Sequence, residues 1–439
     1  MSDSVFNKNL LQVSGLENVP EGWKAHRIVD CFEIGRGRVI SQIEIDNHPG
    51  IYSVFSSQTY NNGEMGKIDT FDFDGEYLTW TTDGANAGTV FYRNGKFSCT
   101  NVCGTLKALK GTDPKFFLYH LSRISKKYVS YIGNPKLMND VVANIAITRP
   151  TSLPEQRKIA HILSTVDAVI EKTEAAIVKY KAIKSGMMRN LFTRGIDIST
   201  GKLRASYKET PNLYKSSKLG WIPRDWKEGR FIDFADKNIS HSFTGGPFGS
   251  DLQTKHYTTS GVRIIQLQNI GDGVFNDDYK IYTHEEKAND LLNCNIYPGE
   301  IIISKMADPI ARACIIPNSA KRFIMASDGI RLSIDKELFN TRFVMETINH
   351  NRFRDIAKLK ATGSTRARIG LTELKEITVV FPEKREQDAI GQRLDTIEAT
   401  LKAGNNYLNK MQQIKQALMS DLLTGKVRVK YEEEKVEAV

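Results

Sequence analysis

Several clusters in this 439-residue chain have side chains that could do chemistry, but few have the spacing a reaction requires. Cys99 and Cys103 sit four apart and could share one helix face and a metal, yet no nearby Cys or His completes a four-ligand set, and buried thiols are the better reading. The stretch GIDISTGKL (195–203) sets Gly195 and Gly201 too far apart for a phosphate-binding loop and has Leu203 where a magnesium-binding hydroxyl belongs; LLTGKV (422–427) fails in the same way. Asp69, Asp72, Asp74 and Glu76 lack the ligand spacing of a calcium loop and read as a solvated turn. Asp113-Pro114-Lys115 has no acidic-x-Lys partner downstream for nuclease metals, and the eight His form no recognisable pair with Ser or Cys. Hydrogen-bonding chemistry remains: glycine-flanked runs of amides, hydroxyls and guanidinium groups. These suit the edges of bases in a nucleic-acid groove, whereas cations suit phosphates and carry no sequence information.

In the first half of the chain, SSQTYNNGEMG (56–66) supplies Ser57, Gln58, Thr59, Tyr60 and Asn61. WTTDGANAGTVFYRNGK (80–96) supplies Thr82, Asn86 and Arg93, and Lys136 follows. In the second half, Ser250 and Lys255 lie in FTGGPFGSDLQTKHY (243–257), and Lys305 and Arg312 in SKMADPIAR (304–312). Gln266, Gln268 and Asn269 in RIIQLQNI (263–270) alternate on an expected strand, so some would face inward as satisfied polar core. Thr362, Ser364, Thr365, Arg366 and Arg368 form TGSTRAR (362–368), whose two arginines beside Gly363 suit a phosphate or a guanine edge. Any one of these residues could equally sit in an ordinary solvated turn.

The elements that must hold such loops are written twice. With Glu155-Gln156 placed over Glu386-Gln387, an offset of 231 residues, no gap is needed through Ile196 over Val427. A second echo pairs VPEGWK (19–24) with IPRDWK (222–227). Both repeated segments carry heptads. The first has Ile159, Val166, Thr173, Tyr180 and Met187 at a, with Leu163, Ile170, Ile177, Lys184 and Leu191 at d. The second has Ile390, Ile397, Gly404, Met411 and Leu418, with Leu394, Leu401, Leu408, Lys415 and Leu422. From Ile159 to Leu191 such a helix runs about 48 Å, too exposed a rod to stand alone, so each copy is expected to pair with the other. A parallel pair would stack Lys184 on Lys415; an antiparallel one puts Ile159 beside Leu422, Lys184 opposite Ile397 and Lys415 opposite Val166.

Between the helices lie two middles of little common sequence, each expected to be mixed α/β. KFSCTNVCGTLKAL and EIIISKM read as strands, and 113–128 and 340–359 as N-capped helices. Both middles end alike, in GNPKLMNDVVANIAITRP (133–150) and GSTRARIGLTELKEITVVFP (363–382): glycine, polar turn, short helix, strand, proline. Gly195 and the polar run through Ser217 predict a linker of about 25 residues. The 61 Lys and Arg against 51 Asp and Glu give a net charge of +10 and a pI near 9.1, favouring a polyanionic partner. Five scattered cysteines argue against a disulfide framework, and neither a signal segment nor a run of membrane-spanning length is expected. A cytoplasmic protein fits this composition.

Together these features resemble the specificity (S) subunit of type I restriction-modification systems, over nearly the whole chain. The resemblance is carried most specifically by LPEQRKIAHILSTVDAVIEKTEAAIVKYKAIKSGMM, LGWIPRDW, GSTRARIGLTELKEITVVFP and LMSDLLTGKVRV. FPEKREQ departs from the more usual acidic-Pro approach to the second helix. The resemblance implies two mixed α/β (α+β) target recognition domains, 1–150 and 221–382, in an internal pseudo-two-fold repeat. It implies conserved spacer helices at 151–194 and 383–426, joined as an antiparallel coiled coil, a linker at 195–220 and a charged tail at 427–439. Each domain would read one half of a bipartite site in double-stranded DNA, and the helices would set the spacing and dock two methyltransferase subunits. Restriction (motor-nuclease) subunits would complete the complex. This chain would catalyse nothing: S-adenosylmethionine, ATP and Mg2+ are expected only on the partner subunits, and Asn134-Pro135-Lys136 lacks the aromatic of an amino-methyltransferase motif. The other readings are a coiled-coil scaffold, which would not need the polar loops or the duplicated Pro-x-x-Trp, and a fused restriction-modification enzyme, which would need the missing motifs.

Overall fold

The structure, a computed structural model, describes residues 19–306, 309–363 and 367–432. Its longest elements are two helices of 39 residues, Leu153–Leu191 and Lys384–Leu422. Each contributes to both of the compact units into which the chain divides: Met1–Ala176 with Gly404–Val439 (unit 1), and Ile177–Ala403 (unit 2). The unit boundaries therefore fall inside the long helices, not at their ends.

Within each unit the two helices run antiparallel, as the heptads require. In unit 1, Ile159 and Leu163 share one core with Leu418, Met419, Leu422 and Leu423. In unit 2, Met187, Met188 and Leu191 pack with Ile390 and Leu394. Val166, Ile177 and Ile397 are also buried, while Ile170, Leu401 and Leu408 are half-buried. The seam lysines do not rest against Val166 and Ile397. An ammonium in an apolar seam would be left desolvated and unpaired, and each instead reaches a carboxylate one residue further on. Lys415 lies 2.6 Å from Asp167, and Lys184 pairs with Glu398. These are one ion pair written twice, since 167 and 398, like 184 and 415, are 231 apart. A helix of each unit holds the same carboxylate from the other side: the Tyr119 hydroxyl donates to Asp167 at 2.7 Å, and Arg342 stands 2.9 Å from Glu398.

The middles, so different in sequence, share one strand topology. In unit 1 an antiparallel sheet runs in the order Phe32–Arg36, Cys103–Ala108, Glu76–Thr81, Val90–Asn94. Unit 2 repeats it as Phe243–Gly245, Gly329–Leu332, Ile301–Ser304, Ala313–Ile315. A second sheet places Pro49–Phe55 between antiparallel Glu64–Ile68 and parallel Phe97–Cys99. In unit 2, Val262–Ile265 lies likewise between Ile281–Thr283 and parallel Phe323–Met325, with two short strands outside. A two-stranded ribbon closes each: Trp23–Arg27 with Ala146–Pro150, and Lys227–Arg230 with Thr378–Phe381. The run Ile301–Ser304 is buried on both faces, which is why it shows no polar alternation.

Cys99 and Cys103 lie on adjacent strand segments, as the strand reading of that stretch expects, and both are buried thiols whose pKa burial pushes up, Cys103 to about 11. Three local expectations are corrected. The helix expected over 340–359 breaks at His350, which takes extended backbone and caps Asn351–Lys360 after Thr341–Asn349. Residues 195–220 are no loose linker: Ile196–Asp197 pairs with Lys202–Leu203, and Tyr214–Ser217 with Gly220–Pro223. Part of the tail after 427 is docked, because Arg428 forms a two-pronged pair with Glu155.

That pair belongs to a construction found at the base of both long helices. Glu155 accepts from Trp23 Nε1 at 3.3 Å and from Arg428 at 2.9 and 3.0 Å. Glu386 accepts from Trp226 Nε1 at 3.3 Å and from Arg204 at 2.6 and 2.9 Å. Next to each, a buried glutamine fastens the helix to its unit. Gln156 accepts from the Asp113 N–H at 2.9 Å and donates to the carbonyls of Pro150 and Gly111. Gln387 accepts from the Asn340 N–H at 2.9 Å and donates to those of Pro382 and Leu338. Asp113 and Asn340 are themselves the N-caps of Pro114–Ile124 and Thr341–Asn349. Gly195, at φ +67°, must be glycine, because a Cβ there would stand 2.1 Å from Glu386 Oε1. The structural match of Arg204 with Arg428 corrects the gapless repeat near its end: TGKLR (200–204) corresponds to TGKVR (424–428), and seven extra residues in the first copy build the Ile196–Leu203 hairpin.

His120, wholly buried on Pro114–Ile124, gives this core a pH dependence. Desolvation, then the nearby Arg123 charge, lowers its pKa to about 4. The folded protein thus keeps the imidazole neutral while the unfolded chain takes up a proton near pH 6.5. The contribution is complete above pH 6.5 and is lost as pH falls toward 4, by up to about 3 kcal/mol. Urea unfolding between pH 7.5 and 5 should show the decline, and His120→Leu should flatten it measurably.

Candidate nucleic-acid interface

In each unit one of the polar loops singled out by residue chemistry leaves the C-terminal end of a parallel strand, and contacts tie others to it. Extended backbone carries the chain out of the core there, and the shared sheet brings otherwise distant loops together. In unit 1, Phe55 leads into Ser56 to Gly63, a tight turn with Asn61, Asn62 and Gly63 at φ +48°, +53° and +81°. Its first residue is tied to the other strand by Thr100 Oγ1, which donates to Ser56 Oγ at 3.2 Å. Thr59, Tyr60 and Asn61 are exposed, and Ser57 and Gln58 half-buried. From Asn101 the rim continues through Arg36, which donates to the Asn101 carbonyl and lies 3.6 Å from Asp83. Asp83 is also 3.7 Å from Lys136, and exposed Asn86 lies on the same turn as Asp83. Ser57 to Asn61, Asn86 and Lys136 are thus linked along one edge.

Unit 2 builds the corresponding edge from different residues. After Ile265, the Gln266 side chain donates to Tyr257 Oη at 3.3 Å beside exposed Lys255, and Arg312 reaches the Leu267 carbonyl at 3.5 Å. After Met325, the Ser327 carbonyl accepts from Lys305 Nζ at 2.8 Å, and Asp328 pairs with Arg368. Burial, then the nearby Arg368 charge, lowers the Lys305 pKa, against the opposing pull of Asp328. Ser250 is exposed on the loop that leaves Phe243–Gly245, where Gly246 passes so close to the Ala326 carbonyl that a Cβ would stand 1.9 Å from it. Thr362 and Arg368 exchange backbone bonds of 2.9 and 2.8 Å just before the short helix Leu371–Lys375. Ser130 and Lys136 do the same, at 2.8 and 2.9 Å, before Asn139–Ala143. Ser364, Thr365 and Arg366 lie outside the described residues.

Three candidates do not face outward. Thr82 is fully buried and donates to Asp83 at 2.6 Å. Arg93 lies under the rim, its guanidinium 3.5 Å from the Phe55 ring centre and its Nε donating to Thr79 at 3.2 Å; desolvation lowers its pKa to about 10. The alternation of Val90–Asn94 turns Arg93 inward, where the aromatic faces of Phe55 and Phe91 receive it. Asn269 is fully buried: its oxygen accepts from the Gln266 N–H at 3.0 Å, and its amide donates to the carbonyls of Asn276 and Tyr279 at 2.9 Å. Residues 267–269 form a 3-10 turn, not a strand, so only Gln268 of that trio is exposed. Arg36, Asp83, Tyr257 and Asp328, which tie the rims together, carried no sequence signal of their own. Among the described residues no group of three His, Cys, Asp or Glu is placed to hold a metal.

A family model described as the type I restriction modification DNA specificity domain matches residues 20–180 and 263–413. A Mycoplasma pneumoniae protein assigned as a type I specificity subunit is 30% identical over 378 residues, covering 85% of this chain and 89% of its own. The specificity subunit of the MjaVIII type I restriction enzyme from Methanocaldococcus jannaschii is 26% identical over 447 residues, 96% and 97% of the two chains. In fold, the chain is similar to the crystal structure of a type I restriction-modification S subunit from M. genitalium, with a TM-score of 0.60 at 16% identity over 92% of this chain and 96% of that one.

The contrast between Asn269 and Gln268 separates structural from exposed amides. Asn269→Ala leaves two carbonyls and an N–H unpaired in the interior and should cost about 3 kcal/mol. Gln268→Ala should change stability by less than about 0.5 kcal/mol. Chemical denaturation of the two variants measures both.

Proposed function

The chain belongs to the type I restriction-modification specificity subunits, and on that premise we propose that each unit reads one half of a bipartite double-stranded DNA site while the paired helices fix the distance between the halves. The observation that carries this reading is the repeated topology: one scaffold, built twice, presents two rims of different residues at the same strand ends. Different amides, hydroxyls and cations on one frame suit two different half-sites. Ser57 to Asn61, Asn86 and Lys136 face one half, and Ser250, Lys255, Gln266, Gln268, Lys305, Arg312, Thr362 and Arg368 the other.

The chain itself is non-catalytic. Two methyltransferase subunits dock on the repeated helices, each meeting one copy of the same surface, and restriction subunits join them. S-adenosylmethionine, ATP and Mg2+ act on those partners. The complex works in the cytoplasm; among the described residues no helix is long and apolar enough to cross a membrane.

Methylome sequencing tests independent reading. Replacing the middle of unit 1, from Trp23 to Ile147, with that of a related subunit should change one half of the methylated site and spare the other. A change of both halves in a folded chimera would contradict the proposal.

The ruler has its own test. A paired rod of about 48 Å spans about 14 base pairs, an upper bound on the unread gap. One heptad inserted after Thr173 and one after Gly404 keep both seams in register and lengthen the rod by about 10 Å. The half-sites should stay the same while the gap grows by about three base pairs. An unchanged gap in an active variant would leave the helices as a dock alone.

A further inference from the structure

Hydrogen bonds and charge do not account for everything on the rim of unit 1. Ile132 is 95% exposed and Tyr131 69%, at the tip of the hairpin closed by Ser130 and Lys136. The hairpin is pinned from below: the Pro135 carbonyl accepts from the Gly84 N–H at 2.9 Å, and Leu137 is buried with its N–H on the Thr82 carbonyl at 2.8 Å. Its tip is turned by Gly133 at φ +76°, with nothing within 4 Å of where a Cβ would be. A rigid base thus carries an aliphatic side chain into solvent, where the fold gains nothing from it.

Its surroundings select the occupant. Lys126 and Lys127 are exposed on the preceding turn, Lys136 closes the hairpin, and the Asp83 carboxylate is flanked by Arg36 and Lys136. Cations around an apolar point fit a polyanion that can open to admit hydrocarbon, which is the property of stacked DNA. In unit 2 the sequence between the equivalent bonded pair, Thr362 and Arg368, is GSTRA, which has no large apolar residue to match Tyr131 and Ile132.

We propose that Ile132, backed by Tyr131, is a wedge that enters one base step of the half-site facing unit 1, unstacking it and bending the duplex. The proposal rests on the rim being the DNA-facing edge. Flexible pyrimidine–purine steps open at least cost, so the wedge selects sequence at a step where no side chain reads a base edge.

The test uses the full chain assembled with its methyltransferase subunits, and duplexes carrying 2-aminopurine at successive positions of the unit 1 half-site. With the wild-type chain, fluorescence should rise at one step besides any base extruded for methylation. Ile132→Ser should abolish that rise and weaken binding to the target about tenfold, with complex assembly unchanged. Ile132→Leu should retain both. A wild-type complex that methylates its site with no second unstacked step overturns the wedge and leaves the half-site reading standing; one that binds no specific sequence overturns both. Failure of Ile132→Ser to assemble would put the tip against a protein subunit and overturn the wedge.

Discussion

Two buried carboxylates organise this protein. Glu155 and Glu386 sit at the bases of the long helices, where a lone charge would be prohibitively unstable. Each is stabilised by a tryptophan N–H from the Pro-x-x-Trp ahead of its middle and by an arginine that arrives only after the opposite long helix has ended. The arrangement makes separate parts of the sequence obligatory to one another. The opening Pro-x-x-Trp, the Glu-Gln at the helix start and the Thr-Gly-Lys-x-Arg after the helix are three pieces of one joint, repeated once per unit. The adjacent glutamines extend the joint to the caps of the helices Pro114–Ile124 and Thr341–Asn349, so the long helices cannot shift relative to either middle without opening buried hydrogen bonds.

What could be read from the sequence follows from which constraints are local. Heptads and the Glu-Gln repeat depend on spacing along a single helix, and they announced the long helices, their antiparallel sense and their seam. Even there, Lys184 and Lys415 find carboxylates just off the seam, because the ion pair depends on geometry that a heptad register does not encode. The common topology of the middles was hidden for the opposite reason: strand pairing is non-local, and Ile301–Ser304 and Glu76–Thr81 occupy equivalent places with almost no shared residues. Among the candidate rim residues, composition found the loops but not the direction of individual side chains. Arg93 and Asn269 have the right chemistry and face inward, since aromatic rings and backbone carbonyls satisfy them there.

The division between frame and rim has a physical basis. Residues that hold the frame are buried and mutually dependent, and changing one leaves a partner unsatisfied. Exposed residues on the rim, such as Thr59 to Asn61 or Gln268, leave no buried partner unsatisfied when changed, so they can be rewritten without disturbing the sheets beneath.

The discontinuity of unit 1 bears on how the protein is made. Unit 2 is one contiguous stretch, Ile177–Ala403, and its joint is complete once Glu386 has emerged to meet Arg204 and Trp226. Unit 1 joins a stretch that precedes unit 2 to one that follows it, since Leu418, Leu422, Leu423 and Arg428 complete its core and its joint. On the ribosome the later unit therefore finishes first, while the earlier one waits with Trp23, Ile159 and Leu163 uncovered. A nascent chain stopped before Arg428 leaves Glu155 without its counter-charge, so the stretch made before unit 2 depends for its closure on one made after it.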